Sequence, residues 1–320
     1  MQGLVTVFGG SGFIGSQVVR ALAKDKAVRI RVACRNVGRG YKLRMLGDVG
    51  QIEVVQANVR DRASVERALD GAIACVNLIG VLYETGRQGF EAVQVTGAQT
   101  VAECASAQGI TRFVQMSALG ADADSPSKYA RTKAQGEAAV RAIIPSAVVI
   151  RPSIVFGQED HFFNRFGRMA ALSPVLPLIG ENTRFQPVFV GDVAAAIANA
   201  VNDPTAAGRT FELAGPSVYT FRELMELVRR ETGHHPVLLP VPWPIAKLIG
   251  VGGDIQARFM APSLTSDQVE LLRHDNVPAE GANGLAELGV ANPTRVEAVI
   301  PTYLYRYRKG GQYAELPAAI

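Results

Sequence analysis

A glycine-rich stretch near the start of the chain, VFGGSGFIG (residues 7–15), constrains the fold more than any other feature. It follows an apolar run and precedes a segment whose apolar residues recur every three to four positions, as in a helix. Gly10, Gly12 and Gly15 fit the spacing G-x-G-x-x-G. One glycine permits a tight turn, another lets the backbone approach a phosphate, and the third lets the helix pack closely on the strand. The stretch therefore predicts the first strand, turn and helix of a nucleotide-binding fold.

The residues of this turn are candidate cofactor-binding residues. The free N–H groups and the dipole at a helix N-terminus favour a bound phosphate. A tight turn that binds nothing is the alternative, but the strand-turn-helix context favours binding. The candidates are Gly9, Ser11, Gly12, Phe13, Ile14 and Gly15.

Short apolar runs alternate with helical patterns through residues 1–152. Strands are predicted at 4–8, 30–34, 52–56, 75–79, 113–116 and 147–150, and helices at 14–24, 62–69, 90–108 and 129–143. Near-continuous apolar strands alternating with amphipathic helices indicate an α/β fold, a Rossmann-type doubly wound parallel sheet.

The alternation of strand and helix patterns ends after residue 152. This change predicts a smaller C-terminal lobe over residues 153–320, interleaved with the core. Residues 156–178, rich in aromatic residues, are predicted as loop with a short helix, and their apolar side chains suit an apolar substrate, a lipid or a protein interface. Capping boxes predict helix starts at Thr220 and Thr265. The aromatic and basic tail, residues 303–313, suits either a membrane or partner surface or a packed terminal segment.

Composition excludes several classes of protein. A net charge of +4 over 320 residues, with a pI near 9.0, favours anionic ligands but is too weak to indicate nucleic-acid binding. Cys34, Cys75 and Cys104 lie far apart in apolar surroundings, so we expect buried reduced thiols, a reducing compartment and no metal site. No leader peptide is expected, and residues 237–253 are too broken by proline to span a membrane, although they leave contact with its surface open.

The end of the second strand predicts which dinucleotide binds. An acidic residue usually holds the ribose 2′-OH of NAD at this point. The chain has Arg35 there instead, and an arginine binds a 2′-phosphate through charge-assisted bonds. NADP(H) is therefore predicted over NAD(H). Lys42 and Arg44 are better interpreted as a solvated basic loop.

Tyr129 and Lys133 lie four residues apart on a predicted helix, and Ser117 follows the preceding strand. Residues at i and i+4 share one helix face, so the lysine charge favours the tyrosine phenolate. Tyr129 is then a candidate general acid or base, and Ser117 a hydrogen-bond partner for a carbonyl or hydroxyl. An ordinary surface tyrosine and lysine are the alternative.

Further cofactor contacts are predicted where other strands end. Asn58 and Val59 follow the third strand, where they meet an adenine, and Asp61 is predicted to cap the next helix. The other candidates are Leu78, Ile79 and Gly80 after the fourth strand, and Pro152 and Ile154 after the sixth.

These motifs together resemble the extended, epimerase-like branch of the short-chain dehydrogenase/reductase superfamily. FGGSGFIG, NVRD, VNLIG, QMSALGA, YARTK and RPSIVFG occur in that branch's order. Within it, FGQEDHFFNRF, FQPVFVGDVAAAIANAV, LTSDQVELLRHDNV and the tail resemble the family of NADPH-binding accessory subunits of respiratory complex I. Phe8 replaces a usual threonine, which removes a local hydrogen bond, and Asn58 replaces a usual aspartate, which loosens the adenine prediction.

The resemblance implies a bound NADPH with a structural role, other complex I subunits as partners and contact with membrane lipid. It further implies support for the junction of the peripheral and membrane arms, with no turnover of its own. The location implied is the cytoplasmic face of a bacterial inner membrane, or the matrix side of a processed mitochondrial protein. Because Ser117, Tyr129 and Lys133 are present, a free-standing NADP-dependent reductase or epimerase is the alternative.

Overall fold

The computed structural model describes residues 2–257, 259, 260, 262 and 264–313. Residues 314–320 of the predicted C-terminal lobe, and Ala261 and Ser263 near its second capping box, lie outside the described residues. Its strands are β1 Gly3–Phe8, β2 Val28–Cys34, β3 Ile52–Gln56, β4 Ala72–Asn77, β5 Arg112–Met116, β6 Val148–Pro152, β7 Val155–Phe156, β8 Val175–Ile179, β9 Arg184–Phe185, β10 Val188–Phe189, β11 Thr210–Leu213, β12 Tyr219–Thr220 and β13 Val237–Val241.

The α-helices alternate with these strands in the first half and predominate in the second. They are α1 Phe13–Leu22, α2 Val37–Gly40, α3 Arg62–Leu69, α4 Thr96–Ala107, α5 Lys128–Ile143, α6 Phe163–Leu172, α7 Val190–Asn202, α8 Phe221–Thr232, α9 Trp243–Gln256, α10 Ser266–Leu271, α11 Val296–Val299 and α12 Pro301–Leu304. A π-helix, Glu91–Val95, precedes α4. Among the described residues, none of the helices combines the length and the hydropathy needed to span a bilayer.

The chain divides into two compact units. The first comprises residues 1–152, 190–213 and 280–291, and the second comprises residues 153–189, 214–279 and 292–320. Two segments from the second half of the sequence therefore belong to the first unit, and the first of them contains α7 and β11.

Within the described part of the first unit, seven parallel strands form one sheet in the order β11-β6-β5-β4-β1-β2-β3. Five of the six residues of β1 are buried, because helices cover both faces of the sheet. Thr6 is the one polar residue of this strand, and its hydroxyl donates to the carbonyl of Ala68 at 2.8 Å. The predicted α/β doubly wound fold is confirmed.

The second unit has an aromatic core. Phe156, Phe163, Leu176 and Leu178 are buried in it, with Phe221 of α8 packed alongside. The expectation that residues 156–178 offer an apolar binding surface is therefore wrong for most of the segment. Their apolar side chains find partners within the same unit, and two exceptions, Leu172 and Val175, are exposed.

The aromatic and basic tail packs into this same core for most of its length. Tyr303 is fully buried, and Tyr307 lies against Gly167. Arg308 donates to the carbonyl of Glu231 at 2.7 Å. The packed alternative is thus confirmed for this part of the tail, whereas Tyr313 at its end is exposed. Both predicted capping boxes are also present, at Thr220 and at Thr265.

Candidate functional site

The glycine turn joins β1 to α1 through a close approach of backbone to backbone. A Cβ atom on Gly15 would lie 2.2 Å from the carbonyl oxygen of Gly9 and 2.6 Å from the Cα atom of Gly10. Gly9 itself has a φ of +77°, which favours glycine. Gly12 is different, since a Cβ there would meet only the Gly9 oxygen, at 3.3 Å. The turn is therefore closely packed where Gly15 meets Gly9 and Gly10, and it has space for a ligand at Gly12.

The first turn of α1 is free to bind an anion. Gly12 occupies the N-cap position, and no side chain caps the helix. The amides that follow it, those of Phe13, Ile14 and Gly15, belong to the turn whose N–H groups have no partner within the helix. This end of α1 thus offers the donors and the dipole that a pyrophosphate requires.

Arg35 lies directly after β2, as predicted, at the edge of the sheet where the glycine turn also lies. Its side chain is exposed and donates to the amide oxygen of Gln88, in the loop between β4 and α4. Asn36 accepts a bond from the amide of Gly38 at 3.0 Å and so caps α2. The guanidinium group is therefore held outside the sheet edge, where the ribose of a dinucleotide lies in this fold.

The two residues predicted to meet an adenine have different environments. Asn58 is half-buried, and its side-chain oxygen accepts from the amide of Arg60 at 3.2 Å. Val59 is buried in the hydrophobic core against Gly97, so its side chain packs inward. Asp61 is the N-cap of α3, but its side chain makes no capping bond, which corrects the sequence prediction. The hydroxyl of Ser64 instead donates to the Asp61 carbonyl at 2.8 Å.

A buried amide pair fixes the ends of β4 and β5. The side-chain nitrogen of Asn77 donates to the Gln115 oxygen at 2.9 Å, and Gln115 in turn donates to the carbonyl of Met116 at 3.0 Å. The Asn77 oxygen accepts from the amide of Ile79 at 3.3 Å. The pair therefore positions Leu78, Ile79 and Gly80 after one strand and Ser117 after the next. A side chain at Gly9 would contact Ile79 at 3.3 Å, so this segment lies beside the glycine turn.

Tyr129 and Lys133 lie together on the first two turns of α5. Ser127 caps the helix by accepting from the amide of Ala130 at 3.2 Å. The ammonium nitrogen of Lys133 lies 5.8 Å from the centre of the Tyr129 ring, and a Cβ atom on Gly80 would be 3.0 Å from it. The structure thus brings the lysine, the tyrosine and the end of β4 together.

Ser117 has an unused hydroxyl. It is 4% exposed, and its side-chain oxygen has no hydrogen-bond partner within the described residues. A buried polar group without a partner costs about 1–3 kcal/mol. Such a group at the end of β5, with only β4 between it and the strand that leads into the glycine turn, is expected where a ligand supplies the missing bond.

Burial lowers the pKa of Lys133 to about 8, because desolvation disfavours its ammonium form. The carboxylate of Glu137, one turn further along α5, acts in the opposite direction and raises the pKa. Glu137 is itself buried and bonded to the guanidinium of Arg151 at 2.7 and 2.9 Å. Arg151 also contacts Glu212 at 3.5 Å, so the network ties α5 to β6 and β11.

The affinity for a dinucleotide is expected to weaken about threefold as pH rises from 7 to 8.5, because the charged fraction of Lys133 falls by about that factor. Above its pKa of about 8, Lys133 loses the charge that a bound polyanion favours, and a bond to a charged group contributes about 1.5–3 kcal/mol. Titration of NADPH and NADH into the full chain at each pH measures the effect. The step should appear with both cofactors and should be absent from Lys133→Met. A step that persists in this variant would assign the titration to another group.

Two remaining candidates were predicted after the sixth strand, but Pro152 belongs to β6 itself, and only Ile154 follows it. Pro152 is buried as the last residue of β6, and its carbonyl accepts from the amide of Leu119 at 3.0 Å. Ile154 is half-buried and belongs to the second unit, whereas Pro152 belongs to the first.

Sequence reasoning missed Gln115 and Glu137. The strand FVQM (residues 113–116) carried a signal, since a glutamine in an otherwise apolar buried strand requires a partner. The pairing of Glu137 with Arg151 had no comparable signal, because the partners come from different elements.

Three features of the first unit therefore fit a bound dinucleotide. They are a glycine turn with no room for a side chain at Gly15, an uncapped N-terminus of α1 and the buried hydroxyl of Ser117, which has no partner among the described residues. Gly9–Gly15 would hold the pyrophosphate, and Lys133 and Ser117 would lie near the redox end. A bound nicotinamide dinucleotide supplies two-electron redox chemistry. The chain itself places the phenol of Tyr129 with the Lys133 ammonium beside it, and this phenol would serve as an acid-base group.

Comparison with known proteins agrees with this geometry. Residues 5–214 match the model of the NAD dependent epimerase/dehydratase family. The mitochondrial NADH dehydrogenase (ubiquinone) 1 alpha subcomplex subunit 9 of Mus musculus is 36% identical over 307 residues, which cover 95% of this chain and 80% of the relative. A ceramide reductase of Caulobacter vibrioides (strain NA1000 / CB15N) is 33% identical over 243 residues, 76% of this chain and 75% of the relative. The fold matches the NADPH-dependent quinone oxidoreductase QOR2 of Escherichia coli, solved with NADPH, with a TM-score of 0.74, 19% identity and coverage of 94% and 99% of the two chains.

The chain belongs to the NAD dependent epimerase/dehydratase family. Within that family it belongs with subunit 9 of the NADH dehydrogenase 1 alpha subcomplex, which it resembles over nearly its whole length. The resemblance drawn from the sequence motifs is therefore confirmed.

Proposed function

We propose that this chain is an NADP(H)-binding accessory subunit of respiratory complex I. Its cofactor has mainly a structural role, and the subunit supports the assembly and stability of the junction between the peripheral and membrane arms. Similarity to a complex I subunit over 95% of the chain carries the proposal, since the match extends across both compact units. Other complex I subunits are then its partners.

The proposed cofactor is NADP(H) rather than NAD(H). Arg35 occupies the position after β2 where NAD-binding proteins place an acid. It donates to the neutral amide of Gln88, and within the described residues it forms no ion pair. A 2′-phosphate would replace that neutral acceptor with a charged one, and such bonds are about twice as strong.

Replacing Arg35 by glutamate should weaken NADPH binding about 30-fold and leave NADH binding within about threefold. A bond to a charged group contributes about 1.5–3 kcal/mol, and each 1.4 kcal/mol is about tenfold. Calorimetric titration of both cofactors into the full chain measures the difference. Lys42→Glu is the matched control, because it places the same charge change in the neighbouring solvated loop. An equal loss for both cofactors after Arg35→Glu would exclude the 2′-phosphate role.

The proposal includes contact with membrane lipid through α9. This helix buries its small residues and exposes its large apolar ones. Its buried face consists of Ala246, Gly250 and Gly253. A Cβ atom on Gly253 would lie 1.6 Å from the Leu264 carbonyl oxygen, so this face approaches the neighbouring backbone closely. The large apolar residues face outward; they are Ile245, Leu248, Ile249, Val251 and Ile255.

The residues bordering this apolar face suit a bilayer surface as its occupant, although Arg273 is also paired with Glu270 at 3.4 Å. Lys247 is exposed on the helix. At its start, the Arg273 guanidinium lies 5.0 Å from the centre of the Trp243 ring. Tryptophan and cationic residues beside an apolar face are the composition of helices that lie in a membrane interface. The carboxylate of Asp254, also on α9, accepts a hydrogen bond from the amide of Ser266 at 3.2 Å.

Sedimentation with vesicles tests this contact. The full chain should bind vesicles of phosphatidylcholine with phosphatidylglycerol. The double substitution Leu248→Gln, Ile255→Gln should weaken binding about tenfold, because full burial of one such apolar side chain contributes about 1.5–3 kcal/mol and the bilayer buries each only in part. Met45→Gln is the control, since Met45 is 86% exposed in the first unit. Equal binding by all three proteins would exclude α9 as the contact.

The proposed location is the membrane surface on a reducing side, which is the cytoplasmic face of a bacterial inner membrane or the matrix side of a mitochondrial one. Cys34, Cys75 and Cys104 are all buried and free, which suits a reducing compartment.

Native fractionation of gently solubilised membranes tests the main proposal. The chain should migrate with NADH:quinone reductase activity, and its deletion should reduce the amount of assembled complex. Tyr129→Phe should leave both unchanged, because the subunit role requires the cofactor and not the phenol. Migration as a small free protein would contradict the proposal.

A second candidate function is NADPH-dependent reduction of a carbonyl in an apolar substrate. The pairing of Lys133 with Tyr129 and the buried free hydroxyl of Ser117 favour it, as does the similarity to a ceramide reductase over 76% of the chain. On this alternative, Tyr129→Phe abolishes turnover of a long-chain ketone while NADPH binding is retained.

A further inference from the structure

Two arginines hold neighbouring residues of the loop between β4 and α4. Arg35 donates to the side-chain oxygen of Gln88, and Arg60 donates to the main-chain oxygen of Arg87 at 2.6 Å. Consecutive Cα atoms are only about 3.8 Å apart. The two guanidinium groups therefore converge on one dipeptide, although Arg35 and Arg60 come from different strand ends.

The sheet explains this convergence. β2 and β3 are parallel neighbours, with Cys34 paired to Gln56, and the amide of Ala57 donates to the Cys34 carbonyl at 3.0 Å. Arg35 follows the first of these strands directly. Arg60 follows the second after a short turn that the Asn58 side chain stabilises. Both side chains thus leave the same edge of the sheet, which is the edge that binds the adenosine half of a dinucleotide.

Both arginines bind neutral hydrogen-bond acceptors, although their positive charges would bind an anion more strongly. Both guanidinium groups bind neutral oxygens, and neither forms an ion pair within residues 2–257, 259, 260, 262 and 264–313. Glu84, an acid of the same loop, pairs with Lys128 at 3.0 Å and accepts from the amide of Phe90 at 2.8 Å. Two cations that bind only neutral acceptors form a site that prefers a compact dianion.

We propose that Arg60 is, together with Arg35, a specificity residue for a dinucleotide with a 2′-phosphate. The Gln88 side chain and the Arg87 carbonyl occupy the two arginines in the free protein, and the phosphate displaces them. Arg60 thereby adds a second charged bond to the site, and Gln88 is a competitor whose removal strengthens binding. This inference rests on the proposed binding of NADP(H).

The experiment compares NADPH with NADH by calorimetric titration into the full chain and four variants. Arg60→Ala should weaken NADPH binding about tenfold and leave NADH binding within about twofold. Gln88→Ala should strengthen NADPH binding about threefold without changing NADH binding. Arg35→Ala is the comparison for the first specificity residue. Arg67→Ala is the matched control, because Arg67 is an exposed arginine on α3, the next helix along the chain.

The outcomes separate this inference from the proposed cofactor. If Arg35→Ala discriminates between the two cofactors but Arg60→Ala weakens both equally, NADP(H) binding stands, Arg60 instead contacts the adenine, and the inference is overturned. If Arg60→Ala behaves like Arg67→Ala, or if Gln88→Ala weakens NADPH binding, the inference is overturned as well. If Arg35→Ala weakens both cofactors equally, the preference for NADP(H) fails, and the second specificity residue fails with it.

Discussion

Substituting alanine for Gly15 is expected to lower the free energy of unfolding by about 3 kcal/mol and to abolish measurable NADPH binding. The added methyl would lie 2.2 Å from the carbonyl oxygen of Gly9 and 2.6 Å from the Cα atom of Gly10. Both obstacles are backbone atoms, so α1 would have to move away from the end of β1. That movement removes the close contact of helix and strand and displaces the amides that would bind the pyrophosphate. Thermal unfolding and calorimetric titration measure the two effects.

Two other glycine substitutions serve as controls for this prediction. Gly12→Ala should preserve stability, because its methyl would meet a single oxygen at 3.3 Å, but should still weaken binding by obstructing the open side of the turn. Gly252→Ala places the same methyl in α9, where it would meet no atom within 4 Å, and should stabilise the chain slightly. If Gly15→Ala bound NADPH as well as Gly252→Ala does, the glycine turn would not be the binding site.

Much of the first unit could be predicted from sequence, because buried parallel strands have a strong signature. Five of the predicted strands coincide with β1, β2, β3, β5 and β6 to within about two residues. The fourth was placed at 75–79, whereas β4 is Ala72–Asn77. Its apolar run continues past the strand because Leu78 and Ile79 line the turn beside Gly9. Apolar character alone does not distinguish a buried strand from the apolar turn that follows it.

The second unit was harder to predict because its aromatic residues have partners that are distant in sequence. Phe162 and Phe166 pack on Phe221, with ring centres 6.3 and 5.4 Å apart. A segment with so many aromatic side chains has the same composition whether a partner protein or its own domain covers it. The same reasoning explains α9, where the sequence showed an apolar segment but not that its small residues face inward and its large ones outward.

The residues of the candidate site also differ in whether the sequence could predict them. Residues that directly follow a strand, such as Arg35 and Ser117, could be predicted as candidates because topology brings the carboxyl ends of parallel strands to one edge. The contact between Gln88 and Arg35 could not be predicted, since it joins residues 53 positions apart and involves an exposed side chain. No local pattern encodes such a contact. A structure that joins side chains across the sheet edge was needed to find it.

Removing the carboxylate of Asp160 is expected to lower the unfolding free energy of the second unit by about 4 kcal/mol, because each unsatisfied buried donor costs about 1–3 kcal/mol. Asp160 is 2% exposed, and it accepts bonds from the hydroxyl of Tyr303 and from the amides of Gly157 and Asn164, both at 3.1 Å. Asp160→Ala leaves all three donors without this partner. It also detaches the tail from the loop before α6. Trp243 is the chain's one tryptophan and lies in this unit, so its fluorescence during urea unfolding measures the effect.

The neighbouring acid provides the control, and pH provides a second signature. Glu159→Ala removes an exposed carboxylate one residue away and should change stability by less than about 0.5 kcal/mol. Burial raises the pKa of Asp160 above 3.8, so the folded state binds its proton more tightly than the unfolded state does. The stability that this carboxyl contributes is therefore largest below pH 3.8 and declines as pH rises to the raised value. The difference in unfolding free energy between the native chain and Asp160→Ala should shrink over that interval. A difference that grows with pH would mean that the carboxylate, and not the protonated acid, is the form that the aromatic core stabilises.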